Sequence, residues 1–269
     1  MKNLNTFIVL FLTVFITISC SKNEQEDIVK AIEKEKISAK WEISNNDTYQ
    51  SVEFNEDGKY ILVRNTPTTE ETQLKNSTPS ILFGDYEILN STTISLIDFG
   101  KITITDLKSD SMDFIIVNDE NPEIEVSVTS AKIEKIENST NTELLCKTWI
   151  MKTVNGESVI GTEYELTVIF SQAGTYFIEL ANPTPDNEGG LAEWKWSDET
   201  EKTLCYSWDS VPDCVDGRQV SVTASSDKLT IVEGEDTYEL TPYNSVSTEQ
   251  AKKQKSTLQF IFSKGIFKK

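Results

Sequence analysis

The chain has 269 residues and a formal charge of −19, with no histidine. Lack of histidine removes the usual metal ligand, the usual general base and every histidine-dependent catalytic triad. The charge is uneven: residues 244–269 carry +5 and residues 1–20 carry +1, which leaves −25 on residues 21–243. A body that acidic repels phosphate backbones and excludes nucleic acid as a partner.

The first segment is an export signal by its pattern. Lys2 supplies a short charged start, and Phe7 to Ile18 is almost wholly apolar. At about twelve residues that run is too short to span a membrane and suits the core of a signal peptide. It ends in Thr17-Ile18-Ser19-Cys20. A small residue directly before a cysteine at this place resembles the lipobox of bacterial lipoproteins. That resemblance implies cleavage after residue 19, acylation of Cys20 and anchoring to the outer membrane. An ordinary secretory peptide with a chance cysteine is the competing reading. Residues 20–27 are polar and half of them are charged, as a solvated tether would be. Their acidic residues resemble the signal that routes some Gram-negative lipoproteins to the cell surface.

Residues 28–137 read as a first β domain. Asp27 to Ser38 carries apolar residues at 28, 29, 32 and 37, which predicts a short amphipathic helix. Trp41 follows, and then Phe54-Asn-Glu-Asp-Gly-Lys-Tyr60, with Val52 and Phe54 before the turn and Tyr60 and Leu62 after it. Alternating apolar residues around a short polar turn with glycine predict a β-hairpin, with Gly58 at φ > 0. Residues 66–80 read as a loop. Strands are predicted at 81–89, 93–97, 101–107, 111–117 and 123–129.

A polar linker is expected at 138–143, and residues 144–243 then repeat the order. Trp149 precedes a second hairpin, Phe170-Ser-Gln-Ala-Gly-Thr-Tyr176, although the gap between them is longer by eight residues than in the first copy. A Pro/Asn/Gly loop covers 182–190, an aromatic strand runs through 192–197, and strands follow at 219–223, 228–232 and 237–243. Recurrence at a spacing of about 110 residues indicates duplication. Strands of this length, with no long helical period between them, predict antiparallel barrels or sandwiches and exclude parallel βαβ folds. Residues 244–269 form a basic tail.

Export implies an oxidising compartment, where cysteines pair. Cys146, Cys205 and Cys214 allow three pairings. The pairing expected is Cys205–Cys214, across a loop rich in Pro and Asp. Cys146 then remains as a small buried hydrophobe.

Each unit resembles the lipocalin-like domains of bacterial lipoproteins. The matching elements are Trp149, the Phe170/Gly174/Tyr176 hairpin, Trp194 and Trp196 on an aromatic strand, the turn-linked strands of 219–232, and the closing Tyr238/Leu240/Pro242. Trp41, Phe54/Gly58/Tyr60 and Tyr86/Ile88 take those places in the first unit, which lacks the closing proline. Ala39 and Lys147 stand where lipocalins carry glycine two residues before the tryptophan. The resemblance implies an all-β fold of two tandem barrels and a non-enzymatic module for an apolar or carbohydrate ligand.

Trp194 and Trp196 are two residues apart and so share a strand face. With Tyr206 and Trp208 they are the candidates to line a barrel mouth and stack on a ligand; the competing reading is that they fill a small barrel's core. Asp209, Asp213 and Asp216 surround the expected disulfide loop, but their spacing matches no calcium loop. Glu56 and Asp57 fall in an exposed turn and are expected to be solvated. No cofactor is expected, and no protein partner is indicated beyond the alternative of an adaptor with filled barrels.

Overall fold

The computed structural model describes residues 32–44, 46–65, 80–162, 165–181, 190–208, 212–214 and 219–243. The signal peptide, Cys20, the tether, the basic tail, Asp209 and Asp216 lie outside these residues. Of the helix expected at 27–38, the described part forms one turn, α1 (Lys34–Ile37).

The first unit runs β1 (Lys40–Ser44), β2 (Tyr49–Phe54), β3 (Lys59–Arg64), β4 (Ser80–Ile88), β5 (Thr93–Leu96), β6 (Gly100–Leu107), β7 (Ser111–Asn118) and β8 (Glu125–Ile133). Each strand pairs with the next, and β8 returns to β1 to close an eight-stranded antiparallel barrel. That closure explains why β8 runs past the expected end at residue 129: Ser130 to Ile133 pair with Ile43 to Lys40.

The second unit begins with α2 (Thr140–Leu145) and continues through β9 (Thr148–Val154), β10 (Glu157–Ser158), β11 (Leu166–Phe170), β12 (Thr175–Leu180) and β13 (Gly190–Trp196). It ends with β14 (Thr203–Ser207), β15 (Gln219–Ala224), β16 (Leu229–Glu233) and β17 (Asp236–Pro242). Pairing of β17 with β9 closes a second eight-stranded barrel, and the two-residue β10 is an addition on β9. Two tandem antiparallel barrels are consistent with the lipocalin-like expectation. The extra residues between Trp149 and Phe170 are accounted for by β10, which joins β9 through Asn155 and Gly156, both at positive φ. Positive φ at both central residues is the turn that Asn-Gly favours in two-residue hairpins.

The segment read as a linker is partly helical. The Ser139 hydroxyl caps α2 by accepting the Thr142 N–H at 3.0 Å, and the helix seals one end of its barrel. From inside that barrel the Trp149 indole N–H donates to the Leu145 carbonyl at 2.9 Å. Trp41 does the same to Ile37 at 2.9 Å in the first barrel. The hairpins match bond for bond. Gly58 and Gly174 hold φ of 85° and 78°, and their N–H groups donate to the Asn55 and Ser171 carbonyls at 3.1 and 3.0 Å. The Tyr86 hydroxyl and the Trp194 indole N–H reach those same two carbonyls at 2.9 and 3.0 Å. The duplication is therefore written in hydrogen bonds as well as in strand order.

The two barrels pack side by side. Ile61 and Val63 on β3 and Ile81 on β4 form one apolar cluster with Ile169 on β11 and Phe177 on β12, and the Phe83 and Phe177 rings lie 4.9 Å apart. These residues alternate with the inward-facing Tyr60, Leu62, Val168, Phe170, Tyr176 and Ile178. Both faces of these strands are consequently buried, which explains apolar runs that do not alternate.

Candidate functional site

The aromatic candidates sit within the core of the second barrel. Trp194 is 1% exposed and makes edge contacts with Phe170 at 5.8 Å and Trp196 at 5.2 Å. Its indole serves the hairpin bond to Ser171 described above. Trp196, partly buried, donates to the Thr142 hydroxyl of α2 at 2.9 Å. The buried Tyr206 donates to Glu233 at 3.1 Å. Trp208, also buried, lies 5.5 Å from the Tyr176 ring. A Cβ on Gly190 would come within 2.9 Å of the Trp208 ring, so glycine there lets the backbone pass under the indole. The four rings are brought together, and their own contacts fill the space around them.

Cys205 on β14 is bonded to Cys214, with Cα atoms 5.2 Å apart, as expected. Cys146 is free. Burial, reinforced by the nearby Glu53 carboxylate, pushes its thiol far above the usual range, which keeps it protonated and unreactive. Asp213 is exposed, and no group of three or more potential metal ligands gathers among the described residues.

A cavity of about 580 Å³ opens between the two barrels. Equivalent segments of the two repeats line it. From the first come residues 38–40, which follow α1, and residues 53–57 at the hairpin turn. From the second come 146–147, which follow α2, and 170–173 at the matching turn. The end of β8 completes the wall. Most of the side chains at the cavity carry hydrogen-bonding groups, and several are already engaged. Asp57 accepts the Thr148 backbone N–H at 2.7 Å, Glu143 accepts from Asn138 at 3.0 Å, and Gln172 donates to Asn138 at 3.0 Å. Lys132 pairs with Glu134, and Lys147 lies over the Trp149 ring at 5.1 Å. Asp57 is thus only partly exposed, in contrast to its expected solvated turn, because the second barrel packs against that turn.

Two polar residues at the cavity combine burial with the lack of a side-chain partner among the described residues. Glu53 is 3% exposed, and neither a hydrogen bond nor an ion pair reaches its carboxylate among the described residues. The Asn55 side-chain amide nitrogen is buried and likewise has no partner. Buried polar groups without partners are uncommon and costly. Sequence reading missed this site. Glu53 stands in an alternating strand as an outward residue, which reads as solvated unless a second domain is known to cover it.

A second charged cluster lies where the barrels touch. Lys59, 8% exposed, bonds Asp85 at 2.8 Å and lies over the Tyr243 ring at 4.6 Å. Burial pushes the nearby Glu179 carboxyl up to about 7, with Lys59 opposing the shift and Asp85 adding to it. The chain matches no protein-family model and no curated protein.

Proposed function

We propose that this protein is a non-enzymatic binding module, exported and anchored to the outer membrane through a lipid on Cys20, that takes a small hydroxyl-rich ligand between its barrels. The observation that carries this reading is the cavity of about 580 Å³, walled by equivalent segments of both repeats and rich in hydrogen-bonding groups. Ligand pockets commonly have volumes of about 300–1,000 Å³ and form where domains meet. Of the two ligand classes implied by the lipocalin resemblance, the polar lining favours carbohydrate over an apolar molecule. Trp194, Trp196, Tyr206 and Trp208 then act as the rigid core behind the site. Export is supported by the Cys205–Cys214 disulfide, since such bonds persist in oxidising compartments. A non-catalytic role is supported by the protonated Cys146 thiol and the histidine-free sequence.

Barrel interiors lined by buried apolar side chains and a strongly acidic body also favour a second reading, an adaptor that binds a partner protein by its surface. Native mass spectrometry of the protein purified from its own host separates the two. The binding-module reading expects a retained small molecule in the wild type that is missing from Gln172→Trp, in which an indole crowds the cavity. A bare wild-type mass would shift the conclusion to the adaptor.

A further inference from the structure

We infer that the ligand held between the barrels carries a protonated amine, and that Glu53 is its counter-ion. This rests on the inter-barrel site being a ligand site and names the chemical class it selects: an amino sugar or a similarly hydroxylated organic ammonium ion.

The internal duplication supplies a control for what the fold itself needs at this position. Val52 pairs with Trp41, and Val168 pairs with Trp149, so Glu53 and Ile169 are the same outward position on equivalent strands. Ile169 is 0% exposed and packs in the apolar cluster between the barrels. An aliphatic side chain therefore satisfies the architecture there, and a carboxylate is not a structural requirement. Glu53 is nonetheless 3% exposed, and it faces the cavity with no bonded partner. Where the second repeat presents an aliphatic side chain, the first therefore presents to the cavity a carboxylate that makes no hydrogen bond and no ion pair among the described residues.

No cation around Glu53 is ion-paired with it among the described residues. Lys40 sits opposite in register on β1, yet no ion pair forms between them. Lys132 is paired with Glu134, and Lys147 lies on Trp149. The Cys146 thiol, which lines the same cavity, has its ionisation pushed up by burial and by Glu53 and supplies no positive charge. No group of three or more potential metal ligands gathers there among the described residues, and a single carboxylate suits an organic ammonium ion, which one charge-assisted contact can hold. A charge-assisted hydrogen bond in such a site is about twice as strong as a neutral one, and every 1.4 kcal/mol gained is about ten-fold in affinity.

The test is calorimetric titration of the full chain with glucosamine and with glucose, at slightly acidic pH where the amine is protonated. Expected is glucosamine binding about ten-fold tighter than glucose, a preference that Glu53→Gln abolishes. Glu53→Ile, which copies Ile169, is expected to lose glucosamine binding and to melt at a temperature at or above that of the wild type. Equal binding of the two sugars, or a preference that survives Glu53→Gln, overturns the amine while leaving the carbohydrate site standing. Binding of neither sugar overturns both. A Glu53→Ile protein that melts well below wild type would mean that the carboxylate serves the fold, and would also overturn the inference.

Discussion

Asp57, in the hairpin turn of the first barrel, accepts the backbone N–H of Thr148, the first residue of β9 in the second barrel, at 2.7 Å. The contact joins the two barrels at the cavity wall, alongside the Lys135 and Ile136 N–H groups that donate to the Gln172 carbonyl and the Lys135–Glu193 ion pair. Thr148 is fully buried, and its hydroxyl already lacks a partner. Removing the acceptor would leave the N–H unpaired as well. Asp57→Ala is expected to cost about 1–3 kcal/mol, the penalty for an orphaned buried donor. Asp57→Asn, which keeps a side-chain carbonyl, should recover most of the loss. Urea denaturation of the three proteins measures it, and equal midpoints would show that the bond contributes nothing.

Glu179 predicts a stability that depends on pH. Its carboxyl is shifted upward, from an ordinary 4.5 to about 7, mainly by burial between the barrels. In the folded protein it therefore keeps its proton through a window in which the unfolded chain has released it. Folding stability falls as pH rises from about 4.5 to about 7 and is level above that. A shift of this size is worth about 3 kcal/mol at most. Lys59, Asp85 and the Tyr243 ring surround the site. Glu179→Gln cannot ionise, so its stability relative to wild type should be near equal at pH 5 and higher at pH 8. A difference that does not change with pH would refute the assignment.

Most of the fold was legible because two strong local signals repeat. Trp41 and Trp149 mark the opening strands, and glycines at positive φ mark the hairpin turns; both depend on residues close in sequence. The helix α2 was less legible, since Ser139 to Glu143 is a polar stretch that becomes helical through its cap and through its seat under Trp149 and Trp196. β14 was read only as the flank of a disulfide loop because four of its five residues are buried, which erases alternation. The candidate site was not legible. It depends on the outer faces of two barrels meeting, and the one local trace of that meeting is unbroken apolar stretches such as Tyr60-Ile-Leu-Val63. Trp194 and Trp196 drew notice by their chemistry, whereas Glu53 is one glutamate among many acids until its burial is known.

The Cys205–Cys214 bond ties the buried strand β14 to residues 212–214. Closing a loop of this length limits the unfolded chain and is worth about 2.5 kcal/mol in the chain-entropy model. Cys214→Ser is expected to lower the stability of the second barrel by about that amount. Treatment with reductant should destabilise the wild type to the same level and leave the variant unaffected. The first barrel contains no cysteine among residues 32–133, so its own transition should not move if the barrels unfold separately. Thermal melts with and without reductant report both transitions, and a reductant effect in Cys214→Ser would point to a different pairing.

The proposed anchoring depends on one sulfur atom. Thr17-Ile18-Ser19 precedes Cys20, and polar, charged residues follow it, so the resemblance to a lipobox predicts a mature chain beginning at acylated Cys20. Each buried CH₂ of an acyl chain contributes about 0.8 kcal/mol, and stable anchoring takes more than one chain. The wild type should therefore partition wholly with membranes even though no described helix is long and apolar enough to cross one. Cys20→Ser offers no thiol to acylate. The variant is expected to leave the detergent phase, or to stay in the membrane as an uncleaved precursor that keeps residues 1–19. Mass spectrometry of the N-terminal peptide distinguishes these outcomes. An unmodified N-terminus at another residue, with unchanged fractionation of Cys20→Ser, would establish an ordinary secretory peptide instead.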